Sequence, residues 1–230
     1  MKSAIMMLLF LILCGCGNSS PGTVIEENPD PITFLALGDS YTIGEAVPED
    51  QRWPLQLATA LRKRGIKISP PMIIARTGWT TGDLLEAMDR QLDGEQYDLV
   101  SVLIGVNNQY QGKSITEYEK QLREILSRAI SHSRTGKDGV FAVSIPDYGA
   151  TPFGEGNREE IAAEIQVFNE VFRSVATEFG VDFYNITPIS KRAATEPGLV
   201  AEDGLHPSGR MYELWVMHFL DQVVEKVGSL

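Results

Sequence analysis

The sequence predicts an α/β protein in which helices cover both faces of a mostly parallel sheet. Two observations lead to this fold class. Five short apolar runs are spaced along the chain, as expected of parallel strands that are buried on both faces. Segments with an amphipathic, helical periodicity separate each run from the next. Because strand–helix–strand units cross over in a right-handed sense, this alternation predicts a three-layer α/β/α domain.

The predicted strands are short and apolar. They lie at residues 32–37 (ITFLAL), 72–75 (MIIA), 99–104 (LVSVLI), 140–145 (VFAVSI) and 181–184 (VDFY). The chain contains no internal repeat, and its length is typical of a single domain of this class.

Capping signals and apolar stripes indicate where the helices lie. Residues 53–64 are amphipathic and stop at a glycine, and residues 81–92 carry a second apolar face. Thr116 and Glu119 have the spacing of a capping box, which predicts the start of the third helix. Ser208 is the expected cap of the last helix. Between the third helix and the last one lies an apolar stripe at helical spacing, formed by Ile161, Ile165, Phe168, Phe172, Val175 and Phe179.

The composition is that of a globular protein, with 43% hydrophobic and 22% charged residues in a chain of 230. This is enough for one sizeable core. The formal net charge is −11 and the chain has no basic run, so the electrostatic footprint of a nucleic-acid-binding protein is missing. We expect no nucleic-acid partner, and the sequence leaves the oligomeric state open.

The amino terminus predicts export. Lys2 precedes an apolar run at residues 4–13, which is shorter than the ~20 residues of a membrane-spanning helix and fits the core of a secretory signal. The segment LCGC that follows resembles a bacterial lipoprotein cleavage box, which implies that Cys16 is lipidated and becomes the new amino terminus. The alternatives are an ordinary signal peptide with an incidental cysteine and an uncleaved anchor.

These features predict the domain organisation. We expect a lipoprotein signal peptide at residues 1–15, the lipidated cysteine and a polar tether at 16–30, and one globular domain at 31–230. The protein would then be anchored by its lipid to a bacterial membrane, facing the periplasm or the outside. Both cysteines, Cys14 and Cys16, lie in the leader, so the domain has no disulfide or thiolate metal site, and we expect no metal or cofactor.

The loops after the predicted strands carry most of the glycines and short polar side chains. They read GDSYTIG, RTGWTTGD, GVNNQYQG and PDYGATPFG, and DGLHPSG precedes the last helix. Ligands of a parallel α/β sheet bind beyond the carboxyl ends of its strands. The sequence therefore predicts one site where these loops converge.

Four of these loops carry blocks that resemble those of the SGNH, or GDSL-type, hydrolases. The blocks are GDSY at 38–41, Gly78 in TGWT, Gly105 with Asn107 in GVNN, and Asp203 with His206 in DGLHP. They occur in the order of that family and span residues 38–206. The resemblance implies a flavodoxin-like, mostly parallel five-stranded sheet and a serine hydrolase that acts on esters.

The resemblance also implies a catalytic triad, and the residue types suit its chemistry. Ser40 would be the nucleophile, which needs a neighbouring base because a free hydroxyl is weak. His206 would be that base, since imidazole accepts and returns a proton near neutral pH. Asp203, three residues earlier, would hold one ring nitrogen so that the other faces the serine.

The oxyanion hole implied by the resemblance consists of the backbone amides of Ser40 and Gly78 and the side-chain amide of Asn107. These groups supply neutral donors for the charge of a tetrahedral intermediate. The sequence departs from the family at two places. Tyr41 replaces the leucine of GDSL, and Asn108 replaces an aspartate that often follows the block asparagine, which leaves open how Asn107 is held.

The substrate is not encoded in these blocks. Thioesterases, lysophospholipases and carbohydrate deacetylases use the same machinery as carboxylic esterases. A different class of function is a non-catalytic lipoprotein that keeps the fold and binds a cell-envelope glycan. Aromatic residues beside the blocks either line a substrate pocket or pack in the core, and these are Tyr41, Trp79, Tyr110, Tyr148 and Phe153.

Overall fold

The computed structural model describes residues 30–229. The predicted signal peptide at 1–15, Cys16 and the tether up to residue 29 lie outside this range. No helix within residues 30–229 has both the length and the hydropathy needed to cross a membrane.

Five parallel strands form one sheet in the order β2-β1-β3-β4-β5. The strands are β1 (Phe34–Gly38), β2 (Met72–Ala75), β3 (Leu99–Leu103), β4 (Val140–Val143) and β5 (Asp182–Tyr184). The three central strands are buried at every position, whereas the edge strands β2 and β5 each expose their first residue. This is why the central strands are almost entirely apolar, with the buried Ser101 in β3 as the one polar residue among them.

Eight α-helices connect and flank the strands in the described range. They are α1 (Ser40–Ile43), α2 (Trp53–Lys63), α3 (Thr81–Gln91), α4 (Val106–Tyr110), α5 (Ile115–Ser131), α6 (Arg158–Phe179), α7 (Thr187–Ser190) and α8 (Gly209–Gly228). The short helices α1, α4 and α7 have no amphipathic repeat of their own, and the sequence does not predict them.

The helices form two layers, one on each face of the sheet. Helix α2 packs against α8 on one face, where the rings of Trp53 and Phe219 meet edge to face with centroids 6.1 Å apart. Helix α5 packs between α3 and α6 on the other face, where the rings of Tyr118 and Phe168 have centroids 4.8 Å apart. The predicted three-layer α/β/α fold with a parallel five-stranded sheet is therefore confirmed.

The predicted start of α5 is wrong. The capping residue is Ser114, whose hydroxyl accepts a hydrogen bond from the amide of Glu117 at 3.5 Å. Thr116 already lies inside the helix. Two overlapping segments carry a hydroxyl followed three residues later by glutamate, and Ser114 caps because it directly precedes the first helical residue, Ile115. The predicted cap at Ser208 is confirmed, with its hydroxyl 3.3 Å from the amide of Met211.

Candidate active site

The candidate site lies at the point where the strand order of the sheet reverses. The chain runs outward from β1 to β2 on one side and from β3 to β4 and β5 on the other, so the loops that follow β1 and β3 diverge. A crevice opens at such a switch point beyond the carboxyl ends of the strands. Ser40 lies just after β1, and Asn107 just after β3.

Ser40 is the first residue of α1 and is 5% exposed. The residue before it, Asp39, is the helix cap and accepts a hydrogen bond from the amide of Tyr41 at 3.0 Å. At a helix start the first backbone amides have no partner within the helix. The amide of Ser40 is therefore placed where it can serve as a donor beside its own hydroxyl.

The carboxyl group of Asp39 is fully buried. Its second oxygen, Oδ2, has no hydrogen-bond donor among the described residues. Burial raises the pKa of Asp39 to about 7, although hydrogen bonds from the backbone near Tyr41 and Gly105 lower it. The ionised form of Asp39 is therefore destabilised by its burial next to Ser40.

Gly105 allows the chain to turn from β3 into α4. Its φ of 128° lies in the region that favours glycine, and a Cβ atom there would come within 2.7 Å of the Tyr118 ring. The turn brings the side chain of Asn107 to the loop after β2, where its Nδ2 donates a hydrogen bond to the carbonyl oxygen of Trp79 at 2.9 Å. An asparagine amide has two hydrogens, so this bond leaves one donor free.

Asn108 serves a different element. Its Oδ1 accepts a hydrogen bond from the amide of Thr81 at 3.0 Å, and its Nδ2 donates to the Thr81 hydroxyl at 2.7 Å. It is 2% exposed and lies outside the cleft. Asn108 therefore fixes the start of α3, while Asn107 is held by the Trp79 carbonyl.

Asp203 and His206 form a compact turn ahead of α8. Oδ2 of Asp203 lies 2.5 Å from Nδ1 of His206, and its Oδ1 accepts hydrogen bonds from the amides of Leu205 and His206, both at 2.9 Å. Partial burial raises the pKa of Asp203, but the hydrogen bond from the His206 ring and those from the two amides hold it below its usual value. The carboxylate therefore orients the imidazole. The ring of Tyr41 packs against this imidazole, with the two ring centroids 5.8 Å apart.

A cleft of about 180 Å³ brings these loops together. Ser40, Gly78, Asn107 and His206 all line it, as do four of the five predicted aromatic residues: Tyr41, Tyr110, Tyr148 and Phe153. The fifth, Trp79, does not line the cleft and is partly buried against the core.

Three further residues of these blocks line the cleft although the resemblance implies no role for them, namely Thr77, Val106 and Leu205. Each is next in the chain to a residue with an implied role, and this is the signal that could have identified it. The hydroxyl of Thr77 donates to the carboxylate of Glu45, which ties the loops after β1 and β2 together. Within residues 30–229 no cluster of three or more His, Cys, Asp or Glu side chains could hold a metal ion.

Comparison with known proteins agrees with this geometry. The GDSL-like Lipase/Acylhydrolase family matches residues 36–214. An arylesterase of Vibrio mimicus is 26% identical over 195 residues, which are 84% of this chain and 88% of that protein. The structure of TesA superposes with a TM-score of 0.67 at 19% identity, over 84% of this chain and 99% of TesA.

A further solved structure is the psychrotrophic esterase EstA from Pseudoalteromonas sp., inhibited by monoethylphosphonate. It has a TM-score of 0.66 at 17% identity, and the similarity covers 85% of this chain and 98% of EstA. These two structures share the fold, while the family match covers most of the described chain. The chain therefore belongs to the GDSL-like lipase/acylhydrolase family and is a hydrolase that acts on ester bonds.

Proposed function

We propose that this protein is a serine esterase that hydrolyses carboxylic esters through an acyl-enzyme on Ser40. One observation carries the assignment: Ser40 and His206 line the same cleft, and Asp203 holds the Nδ1 nitrogen of His206. A nucleophile, a base and a group that orients the base are the parts that acyl transfer requires.

The proposed reaction has two steps. His206 takes the proton of Ser40 as its oxygen attacks the ester carbonyl, and then gives that proton to the leaving alcohol as the carbon–oxygen bond breaks. Water next attacks the acyl-enzyme with His206 again as base, which releases the acid and restores Ser40. Asp203 stays ionised and stabilises the imidazolium that forms in each step, consistent with its low pKa.

The charge on the carbonyl oxygen would be stabilised by the amides of Ser40 and Gly78 and by Asn107. Two features support this assignment. Gly78 and Asn107 both line the cleft, and the bond from Asn107 to the Trp79 carbonyl joins the two loops that carry them. Donors fixed before the reaction need no reorganisation when charge develops.

The cleft of about 180 Å³ has space for a short acyl group or a small aromatic leaving group. The arylesterase relative supports aryl esters as the first substrates to test. A panel of acyl lengths, thioesters, lysophospholipids and acetylated sugars would rank the remaining substrate classes. Membership of a hydrolase family does not favour the non-catalytic, glycan-binding alternative.

Double-mutant kinetics test the proposed mechanism. Ser40→Ala and His206→Ala should each abolish most hydrolysis of p-nitrophenyl acetate, and the double variant should be scarcely slower than either one. Residues that act as a unit lose function in this non-additive way. Multiplicative losses would mean that Ser40 and His206 do not share one proton-transfer step.

We further propose that the protein is exported and held at a bacterial membrane by a lipid on Cys16. The support is the sequence alone, namely the short apolar run and the cysteine that follows it. Stable attachment requires more than one acyl chain, which a lipoprotein cysteine carries. Cys16→Ser should move the protein from the membrane fraction to the soluble fraction. Retention in the membrane with unchanged leader processing would contradict the proposal.

A further inference from the structure

A second groove adjoins the catalytic cleft. Tyr110, Tyr148 and Phe153, here called the aromatic trio, have ring centroids 6.2 Å apart in each pair. All three line the catalytic cleft, and all three also line a groove of about 430 Å³ on their other side. Tyr110 and Phe153 are each more than half exposed. The aromatic trio therefore lies between the cleft and the groove and contributes to the lining of both.

The groove is negatively charged. Glu160 and Glu164 line it from α6, and no lysine or arginine is among the described residues that line it. The two carboxylates lie one helical turn apart, where like charges destabilise a helix. Glu160 is in the first turn of α6, where the helix dipole favours it, but Glu164 lies beyond that turn. A bound cation would offset the repulsion between them.

Gln109 connects the groove to the aromatic trio. This residue is 7% exposed, and its Nε2 donates a hydrogen bond to Oε2 of Glu164 at 2.5 Å. Its Oε1 has no donor among the residues that the structure describes. Burial raises the pKa of Tyr148, a side-chain hydrogen bond with Gln109 lowers it, and the charge of Glu164 raises it.

Aromatic faces combined with carboxylates bind cations. A quaternary ammonium group is attracted by the faces of tyrosine and phenylalanine rings, more strongly when water is displaced. Carboxylates that lack a basic partner add a Coulombic attraction at short range. The net charge of −11 contributes in the same direction.

We propose that this groove and the aromatic trio bind a positively charged group carried by the ester substrate. The inference rests on the proposed esterase activity and deepens it, because it names a chemical class of substrate. The cation occupies the groove while the ester carbonyl lies at Ser40.

Two matched pairs of esters test the proposal. The first pair carries the charge on the alcohol: acetylcholine and its neutral isostere 3,3-dimethylbutyl acetate. The second carries it on the acyl group: the p-nitrophenyl esters of 4-(trimethylammonio)butyrate and 5,5-dimethylhexanoate. In at least one pair, kcat/KM should be about three- to tenfold higher for the cationic ester. The pair that shows the preference identifies which part of the ester enters the groove.

Charge variants locate the effect. Glu160→Gln and Glu164→Gln should each lower the ratio of cationic to neutral kcat/KM, and the double variant should bring it close to one. Glu159→Gln removes the same charge from a neighbouring position of α6 that does not line the groove, so it should leave the ratio near the wild-type value.

The outcomes separate the two proposals. No hydrolysis of any neutral ester would contradict the esterase mechanism. Neutral esters hydrolysed without a cationic preference in either pair would overturn the groove assignment alone. A preference that survives in the Glu160→Gln/Glu164→Gln variant would also overturn it, because the attraction would then come from the overall charge. A higher kcat/KM for acetylated sugars than for both cationic esters would likewise overturn the groove assignment.

Discussion

Asn107 and Asn108 are consecutive residues whose side-chain amides serve different parts of the molecule. Asn107 lines the candidate active-site cleft and donates to the Trp79 carbonyl, whereas Asn108 is buried and exchanges two hydrogen bonds with Thr81 at the start of α3. The same residue type therefore has a proposed catalytic role at one position and a structural role at the next.

Alanine variants at these positions should separate catalysis from stability. Asn107→Ala should lower kcat by about 10²–10³ with little change in KM, because an oxyanion donor acts mainly when charge develops. Asn108→Ala should reduce the free energy of unfolding by about 1–3 kcal/mol, because it leaves the buried Thr81 amide without an acceptor. Ester kinetics and urea denaturation of both variants check this. A larger loss of kcat at Asn108 than at Asn107 would sink the oxyanion assignment.

The short contact between Asp203 and His206 predicts a strong effect of Asp203→Asn. An amide does not stabilise the imidazolium and favours the wrong tautomer, so kcat should fall by about 10³–10⁴. The matched control is Glu202→Gln, which removes the same charge from an exposed neighbour without a hydrogen bond to the ring. If both variants lose activity equally, the general charge of this loop matters and the orienting role of Asp203 is wrong.

Two glycines with positive φ should differ in their tolerance of a methyl group. A Cβ atom added at Gly78 would meet open space. Gly78→Ala should therefore lower the free energy of unfolding by about 1–2 kcal/mol, which is the conformational strain of a positive φ. Gly105→Ala adds a clash with the Tyr118 ring, and overpacking costs a further ~1–3 kcal/mol. Thermal and urea denaturation measure both. Equal losses at the two positions would contradict the close contact at Gly105.

The buried carboxyl of Asp39 predicts a dependence of stability on pH. Its pKa is about 7 in the folded protein and 3.8 in an unperturbed carboxyl. Between these values the unfolded chain releases the proton while the folded protein keeps it, so stability falls as the pH rises through this window. An asparagine side chain cannot titrate, so the stability of Asp39→Asn relative to wild type should increase from pH 4.5 to pH 8.

Asp98→Asn is the control for this measurement. Partial burial raises the pKa of Asp98, but hydrogen bonds from Thr33 and Arg134 hold it below its usual value. Both the folded and the unfolded protein therefore ionise most of this group below pH 4.5, so the loss of stability in Asp98→Asn should be nearly constant from pH 4.5 to pH 8. A parallel pH dependence in the two variants would show that Asp39 is not the group responsible.

Most of the fold was predictable because its strands and long helices are specified locally. Predominantly apolar runs mark the buried central strands, and apolar stripes mark α2, α3, α5, α6 and α8. The start of α5 was predicted wrongly because Ser114 and Thr116 present the same local pattern. The short helices α1, α4 and α7 are too brief to have a periodicity, since tertiary contacts rather than propensity stabilise them.

The site was predictable only in part. The blocks identify the residues that meet in the cleft, because topology brings the carboxyl ends of β1, β2 and β3 together. Thr77, Val106 and Leu205 lie inside the blocks, but the resemblance implies no role for them, and their places in the cleft depend on how the loops pack. The role of Trp79 depends on loop packing in the same way: its carbonyl, and not its ring, takes part in the site.

Covalent trapping shows whether Ser40 becomes acylated during ester hydrolysis. Wild-type protein would be treated with p-nitrophenyl ethylphosphonate, which leaves an ethylphosphonyl group on an activated serine, and analysed by intact-mass and peptide mass spectrometry. We expect one adduct per chain, on Ser40, formed with release of p-nitrophenol, if Ser40 is the nucleophile. We expect no adduct in Ser40→Ala and slow labelling in His206→Ala. An adduct on another residue, or full esterase activity in Ser40→Ala, would contradict the proposed acyl-enzyme.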